Sequence, residues 1–306
     1  MNYISFGVIT VHFRSVKELI HEAEKRSIKL SAVIKEMEVE VQEYSLEQIE
    51  QRMLEQWYVM KESAHIGLKE PKKSMGGLIG GEGKKLNEYR RGTKTLAGQE
   101  INKAVSRALA VAEVNASMGK IVAAPTAGSC GILPGVLLTV QEEFNIPDKE
   151  IVDALFTASG LGIIIAQRAS ISGAEGGCQA ECGAAAAMAA AALVEVRGGS
   201  PAQAGHACAI ALKNVLGLVC DPVAGLVEVP CAKRNALGAS LALVVADMAL
   251  AGIESVIPVD EVIISMGEVG RALPESLRET AQGGLANTPT GKELNEKFLR
   301  KCVCQS

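Results

Sequence analysis

The chain has 306 residues and a net charge of −4; 48% of it is apolar but only 3% aromatic, so its core must be built from Ala, Val, Leu and Ile, with 31 glycines permitting close backbone approach. That length suits one large domain or two small ones, and the composition favours packed helices over a β-sandwich rich in aromatic and β-branched strands. The acidic balance, with no basic stripe interleaved with aromatics, excludes the usual footprint of a nucleic-acid binder.

In chain order, the opening MNYISFGVITVHFRS places its first positive charge, Arg14, after a short apolar stretch. A secretory signal has the opposite order. Residues 1–66 read as a charged, solvated N-terminal arm of three helices, near 15–26, 29–43 and 45–64. Ser15 with Glu18, and Ser45 with Gln48, have the spacing of capping boxes. The stretch KKSMGGLIGGEGKKL, residues 72–86, holds five glycines and reads as a loop. A helix with apolar periodicity follows over about residues 96–118. A second small-residue loop, APTAGSCGILPG, runs from Ala124 to Gly135. Asp148, in IPDKEIVDAL, is the expected N-cap of the next helix.

From Gly173 onward the chain is nearly all Ala, Gly and Val. CQAECGAAAAMAAAALVEV reads as a buried helix, because alanine has the highest helix propensity and lets neighbours approach closely. Its uncharged run, residues 182–194, is too short to span a bilayer, so no membrane association is expected. Ser200 is placed as an N-cap with Pro201 at the first helical position. KRNALGASLALVVADMALAGI continues as a helix to about Ala251. Thr290, in TGKE, is expected to cap a last short helix before a tail at 299–306. With no repeats and few strand signals, the fold class is mainly α: a single domain with Ala/Gly-rich buried helices, in which residues 67–298 carry the glycine-rich loops and the chemistry. The expected location is the cytoplasm. There thiols stay reduced, so the eight cysteines are ligands, reactive groups or small core residues rather than disulfides.

Cys178, Cys220 and Cys231 each stand at an element boundary beside glycine or proline, in GGCQ, VCDPV and VPCAK. Their spacing matches neither zinc knuckles nor the ferredoxin run. Gly176 and Gly177 admit something bulky, Pro222 and Pro230 stiffen the backbone, and Asp221 can accept a hydrogen bond from a substrate or a supporting group. Three thiolates without an obvious fourth suit a catalytic metal, which keeps a coordination position open. Buried structural thiols remain the alternative reading of the same residues.

The segments ISGAEGGCQAE, LKNVLGLVCDPVAGLVEVPCAKRNALGAS, ADMALAGI and GGLANTPTGKEL resemble the α subunit of bacterial iron–sulfur-dependent L-serine dehydratase, over about residues 15–298. The resemblance implies a [4Fe–4S] cluster on Cys178, Cys220 and Cys231, with no pyridoxal phosphate. It implies L-serine as substrate and a β subunit as partner. The exposed iron would act as a Lewis acid toward the departing hydroxyl while a base removes the α-proton. A related cluster-dependent L-cysteine desulfidase, and a non-catalytic metal-binding subunit, are the competing functions.

For the substrate carboxylate, two glycine loops can present backbone amides as an anion nest: Ser74, Gly76 and Gly77 in one, Thr126, Gly128 and Ser129 in the other. Lys213 and Asn214, shortly before Cys220, are the candidate catalytic side chains. A solvated helix end is the plainer reading of that lysine. Cys182, Cys130 and Cys208 read as core residues. Cys304 in the tail, beside Cys302, is a candidate ligand that reaches back to the open iron, as a C-terminal cysteine does in single-chain members of the resembled family.

Overall fold

A computed structural model describes the protein from residue 13 to residue 303, with side chains described up to residue 300. Among the described residues there are thirteen α-helices and no strand; one isolated bridge pairs Cys220 with Arg278. The mainly-α expectation holds.

The centre is α9 (Ala184–Val196), whose residues from Ala184 to Glu195 are all buried. It packs against α6 (Ile132–Phe144), α7 (Asp148–Arg168), α10 (Pro201–Lys213) and α11 (Cys231–Leu250). Alanine makes this possible. With side chains of one carbon, four neighbours can close on one helix, and dispersion contacts come from backbone as much as from side chain. By length and composition, Asp148–Arg168 and Gln179–Val196 are apolar enough to cross a membrane, but both are mostly buried inside the protein.

The N-terminal helices α1 (Val16–Arg26), α2 (Leu30–Gln42) and α3 (Leu46–Lys69) are not a solvated arm. Val16, Leu19, Ile34 and Trp57 belong to the same core as α9. Trp57 donates its ring N–H to Asp148 at 2.9 Å, and buried Lys35 of α2 pairs with Glu50 and Asp153. Alternating charges disguised a buried face. The division at residue 66 falls inside α3.

Both expected capping boxes differ in completeness. Ser45 and Gln48 cap each other reciprocally, whereas Ser15 accepts from Glu18 N–H and the Glu18 carboxylate turns to Arg14 N–H instead. Ser200 and Pro201 start α10 as expected. Asp148 is the first residue of α7 rather than its cap, which is Pro147. Asp148 is drawn off by Trp57, Lys61 and Gln141. Thr288, not Thr290, accepts the Gly291 N–H at the start of α13 (Pro289–Val303).

The glycine loop is shorter than expected, because α4 (Glu82–Gly92) begins within it. The reason is tertiary. A Cβ on Gly83 would sit 2.6 Å from the Ser106 carbonyl, one on Gly67 2.4 Å from that of Ala110, and one on Gly131 2.2 Å from that of Ala108. Glycines on α3, on α4 and before α6 therefore let all three elements touch the backbone of α5 (Gln99–Ala116). Ile132 to Gly135 likewise belong to α6 and not to the second loop. α12 (Val259–Ala272), not among the expected helices, buries Val259, Val262, Ile263 and Met266 at helical spacing.

Candidate active site

Cys178 lies between a four-residue helix, α8 (Gly173–Gly176), and a π turn at Gln179–Gly183. Gly177 has φ +76, and a Cβ there would meet Leu273 at 2.7 Å and the Leu218 carbonyl at 2.8 Å. Gln179 stitches this turn in place. Its amide donates to Gly176 O and Met266 O, and its carbonyl accepts from Gly217 N–H. Cys220 is held by backbone bonds on both sides: its N–H donates to Leu277 O, and its carbonyl accepts from Glu279 N–H. Cys231 opens α11. Buried Asn235 donates to the carbonyls of Cys231 and Gly128 and accepts from Gly131 N–H at 2.9 Å. It thus ties the 124–131 loop to the third cysteine.

Cys178, Cys220 and Cys231 come from three distant segments and are all buried, and the charge of Cys178 acts on both Cys220 and Cys231. A hydrogen bond with the Cys182 thiol lowers the Cys178 pKa against the effect of burial, and the Arg234 charge adds to the lowering. Burial first, then the neighbouring thiols and Glu181, push Cys220 up and Cys231 to about 12. Held up in this way, the metal-free Cys220 and Cys231 thiols are protonated at neutral pH, so loading a metal there releases protons. Arg234 supplies the compensating cation. Burial alone would lower its pKa, but Cys178, Asp221 and Cys231 hold it above the ordinary value. It donates to Val219 O and to Asp221, both at 2.8 Å, and the other Asp221 oxygen accepts from Leu285 N–H. Asp221 therefore supports Arg234 rather than facing open space.

Glu181 is the residue that sequence reasoning missed. It accepts from the Thr126 hydroxyl at 2.9 Å, and the Cys220 thiol approaches its other oxygen at 3.8 Å. Burial pushes its carboxyl pKa up. A Cβ on Gly173 would come within 2.6 Å of this carboxylate and 3.1 Å of the Cys220 sulfur, and one on Gly128 within 3.2 Å of it. The ligand atoms of Glu181, Cys220 and Glu279 all lie within 4.8 Å of one another. A signal was present: an acid three residues after a candidate ligand, at the head of a buried run that is uncharged from Cys182 to Val194.

The two glycine loops part company here. In the first, Ser74 and Gly76 donate to the buried carboxylate of Glu228, each at 2.6 Å, and Leu78 N–H does so at 3.1 Å. The nest expected for a substrate carboxylate already holds an internal one. Gly77, at φ +79, makes the turn. In the second loop, Thr126 points its hydroxyl at Glu181, Ser129 is buried and bonded to Ala124 O, and Gly128 serves Asn235.

Lys213 is the half-buried last residue of α10, and exposed Asn214 caps that helix by donating to Ile210 O at 2.9 Å. Among the described residues neither has a hydrogen bond to Cys178, Cys220 or Cys231. Cys130 and Cys208 are buried, and burial pushes both thiols to about 12. Cys182 is buried as expected, but against Cys178 rather than in plain apolar surroundings. Cys302 lies in α13 with its side chain not described, and Cys304 lies outside the described residues.

The donor set is compatible with a metal cofactor. The family described as serine dehydratase alpha chain matches residues 23–286. The chain is 55% identical over 287 residues to a probable L-serine dehydratase alpha chain of Bacillus subtilis (strain 168), covering 94% of this chain and 95% of that one. It is 46% identical to the L-serine dehydratase alpha chain of Peptoniphilus asaccharolyticus, over 94% of this chain and 98% of the other. An L-serine dehydratase of Streptomyces coelicolor is 37% identical and longer: the match covers 91% of this chain but 62% of that protein.

Proposed function

This chain belongs to the serine dehydratase alpha-chain family, and on that premise we propose that it is the catalytic subunit of an L-serine ammonia-lyase of the cytoplasm. The observation that carries the reading is the meeting of Cys178, Cys220 and Cys231 beside Arg234, with Glu181 against Cys220. L-Serine loses its α-proton and its hydroxyl as water. The resulting aminoacrylate tautomerises and hydrolyses to pyruvate and ammonia, with no net oxidation.

Three buried thiols without a fourth suit a [4Fe–4S] cluster that keeps one iron open. Held by Cys178, Cys220 and Cys231, the cluster would supply a Lewis acid for the departing hydroxyl. The chain's own residues do the rest. Arg234 offsets the thiolate charge, and Asp221 keeps it aimed. Thr126 fixes the Glu181 carboxylate beside Cys220. Asn235 holds the Thr126 loop and Cys231 at one spacing, so that substrate groups meet preset partners rather than ordering them. A second, β subunit is the proposed partner, supported by the alpha-chain naming of the relatives and by the extra length of the Streptomyces protein.

The test is anaerobic reconstitution with iron and sulfide, with and without the partner, followed by pyruvate and ammonia assays. Equal yields of both from L-serine, by protein that absorbs broadly near 400 nm (roughly as such clusters do), are expected. Faster turnover of L-cysteine, with sulfide release, would make the chain a desulfidase. Serine turnover by iron-free protein would remove the cluster from the reaction.

A further inference from the structure

A cavity of about 280 Å³ lies between α12 and the turn that precedes Cys178, lined by Ser170, Glu175, Gly176, Gly267, Arg271 and Arg278 among others. Its lining includes none of Cys178, Cys220, Cys231, Glu181, Thr126 or Arg234. Two arginines facing one cavity is unusual here, because the other buried or half-buried guanidiniums are paired. Arg90 donates to Asn87, Arg107 to Glu142, Arg168 to Asp260 and Arg234 to Asp221. Arg278 is the exception: it is half-buried, and its Nε is shielded from solvent with no hydrogen-bond partner. A buried donor left unpaired costs stability, and a charged one costs more.

The opening is built. A Cβ on Gly267 would sit 3.3 Å from the Arg271 Nη1 and 3.2 Å from the Ala169 backbone, so glycine leaves that wall recessed. The one acid in the lining, Glu175, is turned to the Ser170 hydroxyl at 2.6 Å rather than to either arginine. Two guanidiniums and one carboxylate sum to a single positive charge, which matches a monovalent anion. The guanidinium fork fits a planar carboxylate bidentately. At 280 Å³ the cavity falls just below the range of about 300–1,000 Å³ typical of ligand clefts, so the ligand is small.

We propose that this cavity binds a small monocarboxylate between Arg271 and Arg278. The Arg278 backbone lies beside that of Cys220, a proposed cluster ligand, since the two pair in the isolated bridge. The site is nevertheless separate from the proposed reaction and does not depend on it.

Saturation-transfer NMR on the full-length chain, with sodium acetate as probe against sodium chloride at equal ionic strength, tests the proposal. Saturable acetate binding is expected, weakened about tenfold or more in Arg278→Gln, the loss of one charge-assisted partner, and less in Arg271→Gln. Arg271 is exposed, so its variant remains informative where the other fails to fold. Absence of saturation, or equal affinity in wild type and both variants, overturns the proposal. If acetate does not saturate but Arg271→Gln weakens capture of the partner subunit, the cavity belongs to an acidic side chain of that partner, and the small-ligand assignment fails.

Discussion

The loops at 70–81 and 124–131 have the same texture, small residues and glycines with a hydroxyl near the turn, yet they do different things. In the first, Ser74, Gly76 and Leu78 spend their donors on Glu228, a buried carboxylate about 150 residues away in the loop between Cys220 and Cys231. In the second, Thr126 turns its hydroxyl to Glu181, whose other oxygen meets the Cys220 sulfur. The first loop clamps the segment between Cys220 and Cys231 to the body; the second faces Glu181 beside the Cys220 thiol. An anion nest is defined by what fills it, and here the chain fills one of its own.

Substitutions in the two loops should separate a stability effect from a turnover effect. The largest effect expected is in Glu228→Ala, which strands three donors. At about 1–3 kcal/mol for each buried unpaired group, it should lower unfolding free energy by about 3 kcal/mol or more in urea titration. Near-wild-type stability would mean that the nest is free to take other anions. Glu181→Gln should leave stability close to wild type but lower kcat/KM for serine by about 10–100-fold, the usual cost of losing a group that orients a metal ligand. A fall in stability without a fall in turnover would make the second loop as structural as the first. Ser74→Ala removes a hydroxyl that both donates to Glu228 and accepts from Ile79 N–H. It should cost about 1–2 kcal/mol and leave turnover per folded chain unchanged. Smallest of all, Asn214→Ala and Lys213→Ala should change serine turnover by no more than about twofold, as expected of residues away from the site. A loss of several orders of magnitude in Lys213→Ala would restore that lysine as a catalytic group.

Local chemistry was readable wherever a residue's partner lies within a turn of it. Ser45 with Gln48, and Ser200 with Gln203, cap their helices as their spacing indicates. The alanine run of α9 is helical and buried. Errors arose where a distant partner won. Asp148 left its capping role for Trp57 and Lys61. The charged N-terminal helices hid a buried face because Lys35 carries its ion pairs inward. The glycines of Gly80–Gly83 looked like loop because nothing local announces that Gly83 packs on the backbone of α5.

By itself the chain's chemistry determined the helical class, most helix starts and the three segments that bear Cys178, Cys220 and Cys231, because propensity and capping act over three or four residues. Only the tertiary structure decided that Glu181 meets Thr126 and Cys220, that Ser74 and Gly76 are occupied, and that Arg234 stands beside Cys178 and Cys231 as their cation. Each of those outcomes depends on whether a polar group is satisfied, and that is settled by whichever partner the whole fold brings within about 3 Å.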